Sequence, residues 1–154
     1  MNYHPRLHVV LFQPEIPPNT GAIGRTCVAL GAKLWLVKPL GFQLNEKTLR
    51  RAGLDYWKYL EWEIVDDWQA LQEKLDTRYF FFSKSARRNV FEVEFNEGDA
   101  LVFGSETSGL PSEILDPQSD HALRIPIRGD VRSLNLSCSV AIAGYELSRQ
   151  LGFE

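Results

Sequence analysis

Cysteine, histidine and methionine are scarce in this chain of 154 residues: two Cys, three His and one Met. Cys27 and Cys138 cannot build a disulfide framework, and with His4, His8 and His121 spread over a terminal arm, a strand and a loop they match no metal-ligand spacing. The expectation is a metal-free protein whose two cysteines, both in predicted helices, pack reduced as small hydrophobes. No apolar run approaches the roughly 20 residues that cross a bilayer, and Met1 to Arg6 is too short and polar for a secretory signal, so the chain reads as cytoplasmic, with no membrane partner. Linkers, low-complexity tracts and internal repeats are also missing. With 44% hydrophobic and 12% aromatic content, the expected organisation is one domain over residues 1–154 around one core.

Three further absences narrow the chemistry. The first apolar strand is followed by Pro17-Pro18-Asn19-Thr20-Gly21-Ala22-Ile23-Gly24-Arg25, which has neither the G-x-G-x-x-G spacing nor a Walker lysine, so an ordinary dinucleotide or P-loop site is disfavoured. No nucleophile elbow gathers Ser, His and Asp into a triad. A basic excess is lacking as well: 17 Lys and Arg against 20 Asp and Glu leave a formal charge of −3, which argues against non-specific coating of nucleic acid. Local basic clusters remain at Arg50-Arg51, at Lys84 with Arg87-Arg88, and at Arg124 with Arg128 and Arg132.

What is present is an alternation of strand and helix patterns. Leu7 to Phe12 is an apolar run of strand composition. Asn19 or Thr20 is expected to cap a helix through Leu30, with Gly31 as its stop. A strand follows at Lys33 to Val37, then a short helix capped by Asn45 and ended by Gly53, and a strand at Leu60 to Val65. Asp66 with Gln69 resembles a capping box for a helix through Leu75, and Tyr79 to Phe82 reads as a fully buried strand. Further strands are expected at Ala100 to Phe103 and Leu123 to Ile127. The last helix, from about Asn135 to Gly152, carries an apolar stripe of Leu136, Val140, Ala143, Leu147 and Leu151. Such alternation implies an α/β fold, a mostly parallel sheet flanked by helices.

Two loops stand out. Gly104-Ser105-Glu106-Thr107-Ser108-Gly109-Leu110-Pro111 and Arg132-Ser133-Leu134-Asn135-Leu136-Ser137 each follow a short apolar strand. Open α/β sheets bind ligands at strand carboxyl ends, so these loops mark a small-molecule site.

These loops, together with Pro14-Glu15-Ile16-Pro17-Pro18-Asn19-Thr20-Gly21, Arg25 and Leu49-Arg50-Arg51-Ala52-Gly53-Leu54-Asp55-Tyr56, form four ordered motifs. They closely resemble the SPOUT-class tRNA 2′-O-methyltransferases, nearest to the small members that act on a cytidine or modified uridine at the wobble position. The resemblance covers about Leu7 to Phe153. It implies a SPOUT-type α/β knot with a C-terminal trefoil, and a homodimer in which the first and last helices bury their stripes against a partner. It implies S-adenosyl-L-methionine held by Phe82, Gly104, Glu106, Gly109, Ile125, Ser133 and Leu134, with glycine allowing close backbone approach. The reaction implied is methylation of a ribose 2′-hydroxyl in a tRNA anticodon loop, with Arg25, Ser133 and Asn135 at the chemistry. Because an arginine side chain does not give up its proton in proteins, Arg25 is read as a positioner of phosphate or hydroxyl rather than a base. Asn19, Arg50, Arg51, Lys84, Arg87, Arg88, Arg132 and Tyr145 would meet RNA.

The chain departs from the family pattern at Phe80 to Ala86, which is bulkier, at Ser108, where many relatives carry arginine, and at Cys138, which replaces asparagine. All three bear on substrate choice. Two other readings stay open: an RNA-binding or assembly protein of the same fold without methyl transfer, and a 2′-O-methyltransferase for another RNA position.

Overall fold

Aliphatic strand residues separated by helix-forming stretches have one economical arrangement, strands side by side with the connecting helices on the faces. The computed structural model, which describes residues 4–43 and 55–153, adopts it. Seven strands, β1 (Leu7–Phe12), β2 (Ala32–Val37), β3 (Trp62–Val65), β4 (Tyr79–Phe82), β5 (Arg88–Asn89), β6 (Ala100–Phe103) and β7 (Ala122–Arg124), form one sheet in the order β3-β2-β1-β6-β4-β7-β5. Every pairing is parallel. Among the described residues the helices are α1 (Pro17–Leu30), α2 (Trp68–Lys74) and α3 (Leu136–Leu151), with short 3-10 turns at Asp55–Tyr59 and Val90–Glu92.

The boundaries differ from expectation where a local signal was overruled. α1 begins at Pro17, before Asn19 and Thr20, because two prolines pre-set its first turn; the N-cap is Ile16, which offers no side-chain acceptor. The cap of α2 is Asp67 rather than Asp66, its carboxylate accepting from the Ala70 amide at 2.8 Å. β7 ends at Arg124, short of Ile127, since Pro126 has no amide to continue a ladder. In β4 only Phe80 is fully buried: Tyr79 and Phe81 face α2, where Trp68 covers their rings at 5.5 and 5.9 Å. β5 is too short to leave any periodicity. The helix expected over Asn45 to Gly53 lies outside the described residues.

The core has two parts. On one face α1 and α3 lie together, with Ile23, Cys27, Leu30, Val140, Ala143 and Leu147 packed on Val9, Leu11, Leu34 and Leu101 of β1, β2 and β6. Gly144 lets the two helices close: a Cβ there would lie 2.7 Å from Cδ1 of Leu30. The stripes expected to await a partner subunit are therefore buried within the chain. Cys138, by contrast, is exposed at the start of α3 and does not pack as a core residue; the stripe turns away from it. On the other face Leu71 and Leu75 cover Val10, Trp35, Val37, Val65 and Val102. Among the described residues no helix is long and apolar enough to cross a membrane.

The amino edge of the sheet is locked by polar contacts. Asp99, 2% exposed, takes both Nε and Nη2 of Arg78 at 2.9 and 2.6 Å and the Asn96 amide at 2.7 Å. Nearby, Nδ1 of His8 accepts from Nε1 of Trp35 at 3.0 Å. Burial, then the Lys33 ammonium, lowers the His8 pKa to about 4. The folded state thus binds this proton less readily than the unfolded chain does. The stabilising contribution is present above the ordinary histidine value near 6.5 and is lost as pH falls towards 4. Urea unfolding across that range should show His8→Gln losing less stability on acidification than the parent chain.

Candidate functional site

Because all seven strands run the same way, their carboxyl ends share one edge, and both motif loops open there. The turn after β6 is set by Gly104: a Cβ at this position would lie 2.1 Å from the carbonyl carbon of Gly109 and 2.3 Å from the Leu110 nitrogen, so only glycine lets the loop fold back. Gly109, at φ +64°, closes the loop by donating its amide to the Ser105 carbonyl at 3.0 Å. This tight fold aims Glu106 and Thr107 sideways at the segment that leaves β1.

Glu106 meets the entry of α1. Its Oε1 accepts from the Glu15 amide at 2.9 Å; its Oε2 accepts from the Ile16 amide at 2.8 Å and from Nδ2 of Asn19 at 3.3 Å. The Glu15 and Ile16 amides are the two just before Pro17; at the helix start itself the Asn19 amide is met by the Ile16 carbonyl at 3.1 Å. The contact between the loops is reciprocal, since Oε1 of Glu15 accepts from Oγ1 of Thr107 at 2.6 Å and its amide at 3.3 Å. Those bonds hold the Glu15 carboxyl below the usual carboxylate range. From Asn19 the network continues: Oδ1 accepts from Nδ2 of Asn135 at 3.2 Å, and Oδ1 of Asn135, the N-cap of α3, accepts from the amide and hydroxyl of Ser137 at 2.9 and 2.5 Å. Three loops far apart in sequence are joined through Glu106, Asn19 and Asn135.

An apolar wall stands beside this junction. The ring of Phe82, ending β4, stacks on Phe103, ending β6, with centroids 4.5 Å apart and planes 13° apart. Ile125, the first residue beyond β7, and Leu134 are half-buried, while Arg132 and Ser133 are exposed. Thus the edge gathers Phe82, Gly104, Glu106, Gly109, Ile125 and the 132–135 loop. Glu106, expected at a ligand, has its carboxylate engaged with α1. The residue after β2 is Lys38, so the carboxylate that grips ribose in ordinary dinucleotide folds is missing from that position.

Other expected residues lie apart. Arg25 is exposed on α1, roughly 9 Å along the axis from Asn19, with its guanidinium 5.8 Å from the Tyr56 ring centroid rather than joined to Ser133 or Asn135. Tyr145 sits roughly 14 Å down α3 from Leu136, against Phe153 at 6.0 Å, away from the loop junction. Lys84 is exposed in the turn after β4. Arg87 pairs with Oδ1 of Asp120 at 2.8 Å and Arg88 donates to the Asp120 carbonyl at 3.0 Å; with Glu92 they line an open depression of about 320 Å³. Arg50 and Arg51 lie outside the described residues. Glu15, Thr107 and Tyr56 all lie inside the motifs named from the sequence, which was the available signal, but sequence reasoning gave none of them a part in the site. Among the described residues no group of three or more His, Cys, Asp or Glu is placed to hold a metal ion.

Comparison with known proteins agrees with this geometry. Residues 6–145 match the model of the SpoU rRNA Methylase family. The chain is 48% identical over 149 residues to the tRNA (cytidine(34)-2′-O)-methyltransferase of Methylovorus glucosotrophus, covering 94% of this chain and 96% of that protein. It is 48% identical over 151 residues to the protein of the same name from Saccharophagus degradans, covering 95% and 96%. A structure solved for insight into the 2-OH methylation of C/U34 on tRNA superposes with a TM-score of 0.88 at 46% identity, over 96% of this chain and 98% of that one. The SpoU methyltransferase AviRb from Streptomyces viridochromogenes, solved with AdoMet, shares the fold, with a TM-score of 0.83 at 24% identity over 98% and 60%.

The Glu106 junction generates a direct test. Glu106→Ala removes the only side-chain acceptor for the Glu15 and Ile16 amides among the described residues, so hydrogen exchange at both should accelerate. Urea unfolding should show a loss of about 2 kcal/mol, the scale of lost hydrogen bonds to a charged group.

Proposed function

The chain belongs to the SpoU rRNA methylase family, and from that premise we propose that it transfers a methyl group from S-adenosyl-L-methionine to the ribose 2′-hydroxyl of the wobble nucleotide, cytidine or modified uridine, in tRNA. The observation that carries the reading is the junction of Asn19, Glu106 and Asn135 beside the Phe82 wall. Its support from relatives is specific: the two compared above are named for that reaction and match nearly end to end.

The residues present fit the cofactor. Phe82, Ile125 and Leu134 offer half-buried apolar surface to an adenine, and the direction of a Cβ at Gly109 meets nothing within 4 Å, leaving the loop backbone approachable. When bound, S-adenosyl-L-methionine supplies an electrophilic methyl group. The protein supplies orientation, which contributes much of the rate in such a transfer. Arg25 holds the phosphate or the hydroxyl of the target nucleotide, and Ser133 and Asn135 fix the loop that faces it. Asn135 gains its orientation from the bond to Asn19 and from Ser137.

Lys84, Arg87, Arg88 and Arg132, with Arg50 and Arg51, are the proposed contacts to the anticodon loop, whose unstacked bases and phosphates such groups recognise. Arg87 meets RNA by exchanging its Asp120 partner for phosphate. Tyr145, remote from the junction, would meet RNA bound across a second subunit. A homodimer of one-domain chains in the cytoplasm, each carrying the C-terminal knot, completes the proposal; the close fold of residues 104–110 and the packing of α3 on α1 are what support the knot.

Incubation of the purified protein with radiolabelled S-adenosyl-L-methionine and total tRNA, followed by mass-spectrometric mapping, should place a 2′-O-methyl group at the wobble position. Methylation elsewhere would move the substrate, and binding without transfer would favour an assembly protein. Arg25→Ala should lower kcat on the order of 100-fold while leaving cofactor Kd within about 3-fold. Gly104→Val should abolish cofactor binding, measured by calorimetry, because its side chain collides with the loop backbone.

A further inference from the structure

Gly24 leaves α1 with a gap beside Arg25. A Cβ at Gly24 would lie 2.6 Å from Cζ3 of Trp57 and 3.2 Å from Cδ2 of Leu60, so the 3-10 turn Asp55–Tyr59 docks directly on the helix, with Trp57 9% exposed. The docking brings Tyr56 against the same stretch. Its hydroxyl donates to the Gly21 carbonyl, and its ring lies beneath the Arg25 guanidinium at 5.8 Å. In an α-helix the carbonyl of residue 21 also accepts the amide of residue 25. One side chain therefore holds both the backbone turn that carries Arg25 and the charged end that Arg25 presents.

We infer that Tyr56 is a positioning residue for Arg25, aiming the guanidinium at substrate without consuming its hydrogen-bond donors. The inference rests on the role given to Arg25 above. An aromatic partner suits that role better than an acidic one. Stacking uses the face of a guanidinium and leaves its in-plane N–H groups free for a phosphate or hydroxyl, whereas a carboxylate takes those groups and offsets the charge. Arginines elsewhere in the chain show the contrast: Arg78, Arg87 and Arg149 are tied by Asp99, Asp120 and Glu146 at 2.6, 2.8 and 2.7 Å. Among the described residues no carboxylate forms an ion pair with Arg25. The hydroxyl of Tyr56 keeps the ring from swinging away, since it is fixed to α1 itself.

The test compares Tyr56→Phe and Tyr56→Leu, each in the parent chain and with Arg25→Ala, by kcat and KM for tRNA and by calorimetric Kd for S-adenosyl-L-methionine. Tyr56→Leu should lower kcat about 10-fold, the scale of a lost cation–π contact in a partly desolvated site, with cofactor Kd within about 2-fold. Tyr56→Phe keeps the ring and should stay within about 3-fold of the parent, the smaller scale of one neutral hydrogen bond. With Arg25→Ala, Tyr56→Leu should add no further loss. Equal fold-losses in both backgrounds, or a parallel loss of cofactor binding, would overturn the inference. If Arg25→Ala alone leaves kcat unchanged, the role of Arg25 fails instead, and the hold of Tyr56 on it is read separately by NMR. The Arg25 Nε–H resonance, assigned by its absence in Arg25→Ala, should lie upfield of an exposed arginine through the ring current of Tyr56; a resonance at the exposed position would overturn the inference even where Tyr56→Leu does not fold.

Discussion

The carboxylate of Glu106 is the constraint on which the site depends. The segment that leads into the two prolines of α1 carries amides at Glu15 and Ile16, which lie ahead of the helix and outside its ladder. Glu106 serves the amides of Glu15 and Ile16 and reaches the Asn19 side chain, so the start of α1, the glycine turn after β6 and the start of α3 share one set of bonds. Moving any one loop breaks contacts in the others. A ligand placed on this edge meets a surface already fixed before it arrives, which lowers the ordering cost of binding.

That arrangement is possible because the sheet separates its labours by edge. At the amino edge, Asp99 with Arg78 and His8 with Trp35 commit polar groups to holding strands together. At the carboxyl edge the backbone does the shaping, at Gly104 above all, and the side chains remain available to neighbouring loops. Between the edges, α1 and α3 bury their stripes against each other and the sheet, so the helices that present Asn19, Arg25 and Asn135 are rigid supports.

Patterns confined to one element were legible in the sequence. β1 and α3 lie where their apolar spacing places them, and Asn135 and Gly152 flank α3 as its composition implies. What escaped depended on partners distant in the chain. Capping rules are local and point to Asn19 or Thr20, whereas the segment entering α1 is held by Glu106, 90 residues beyond Ile16. A helical pattern places Cys138 in a helix but does not say which face the sheet covers, and the exposed side is where it lies. Of the site, the resemblance singled out Asn19, Glu106 and Asn135 one by one, but their mutual bonds, and the service of Tyr56 to Arg25, exist only once the chain is folded.

Asn19 and Asn135 touch because α1 and α3 both begin at the same edge, and this has an electrostatic result. Each helix directs the positive end of its peptide dipoles at that point. Glu106 brings a full negative charge to the first, but the second is capped by a neutral amide, which satisfies its hydrogen bonds and leaves its field in place. The edge is thereby divided: the full charges of Glu106 and Glu15 outweigh the half-charge of the first helix end, and the positive field that remains is confined to the first turn of α3.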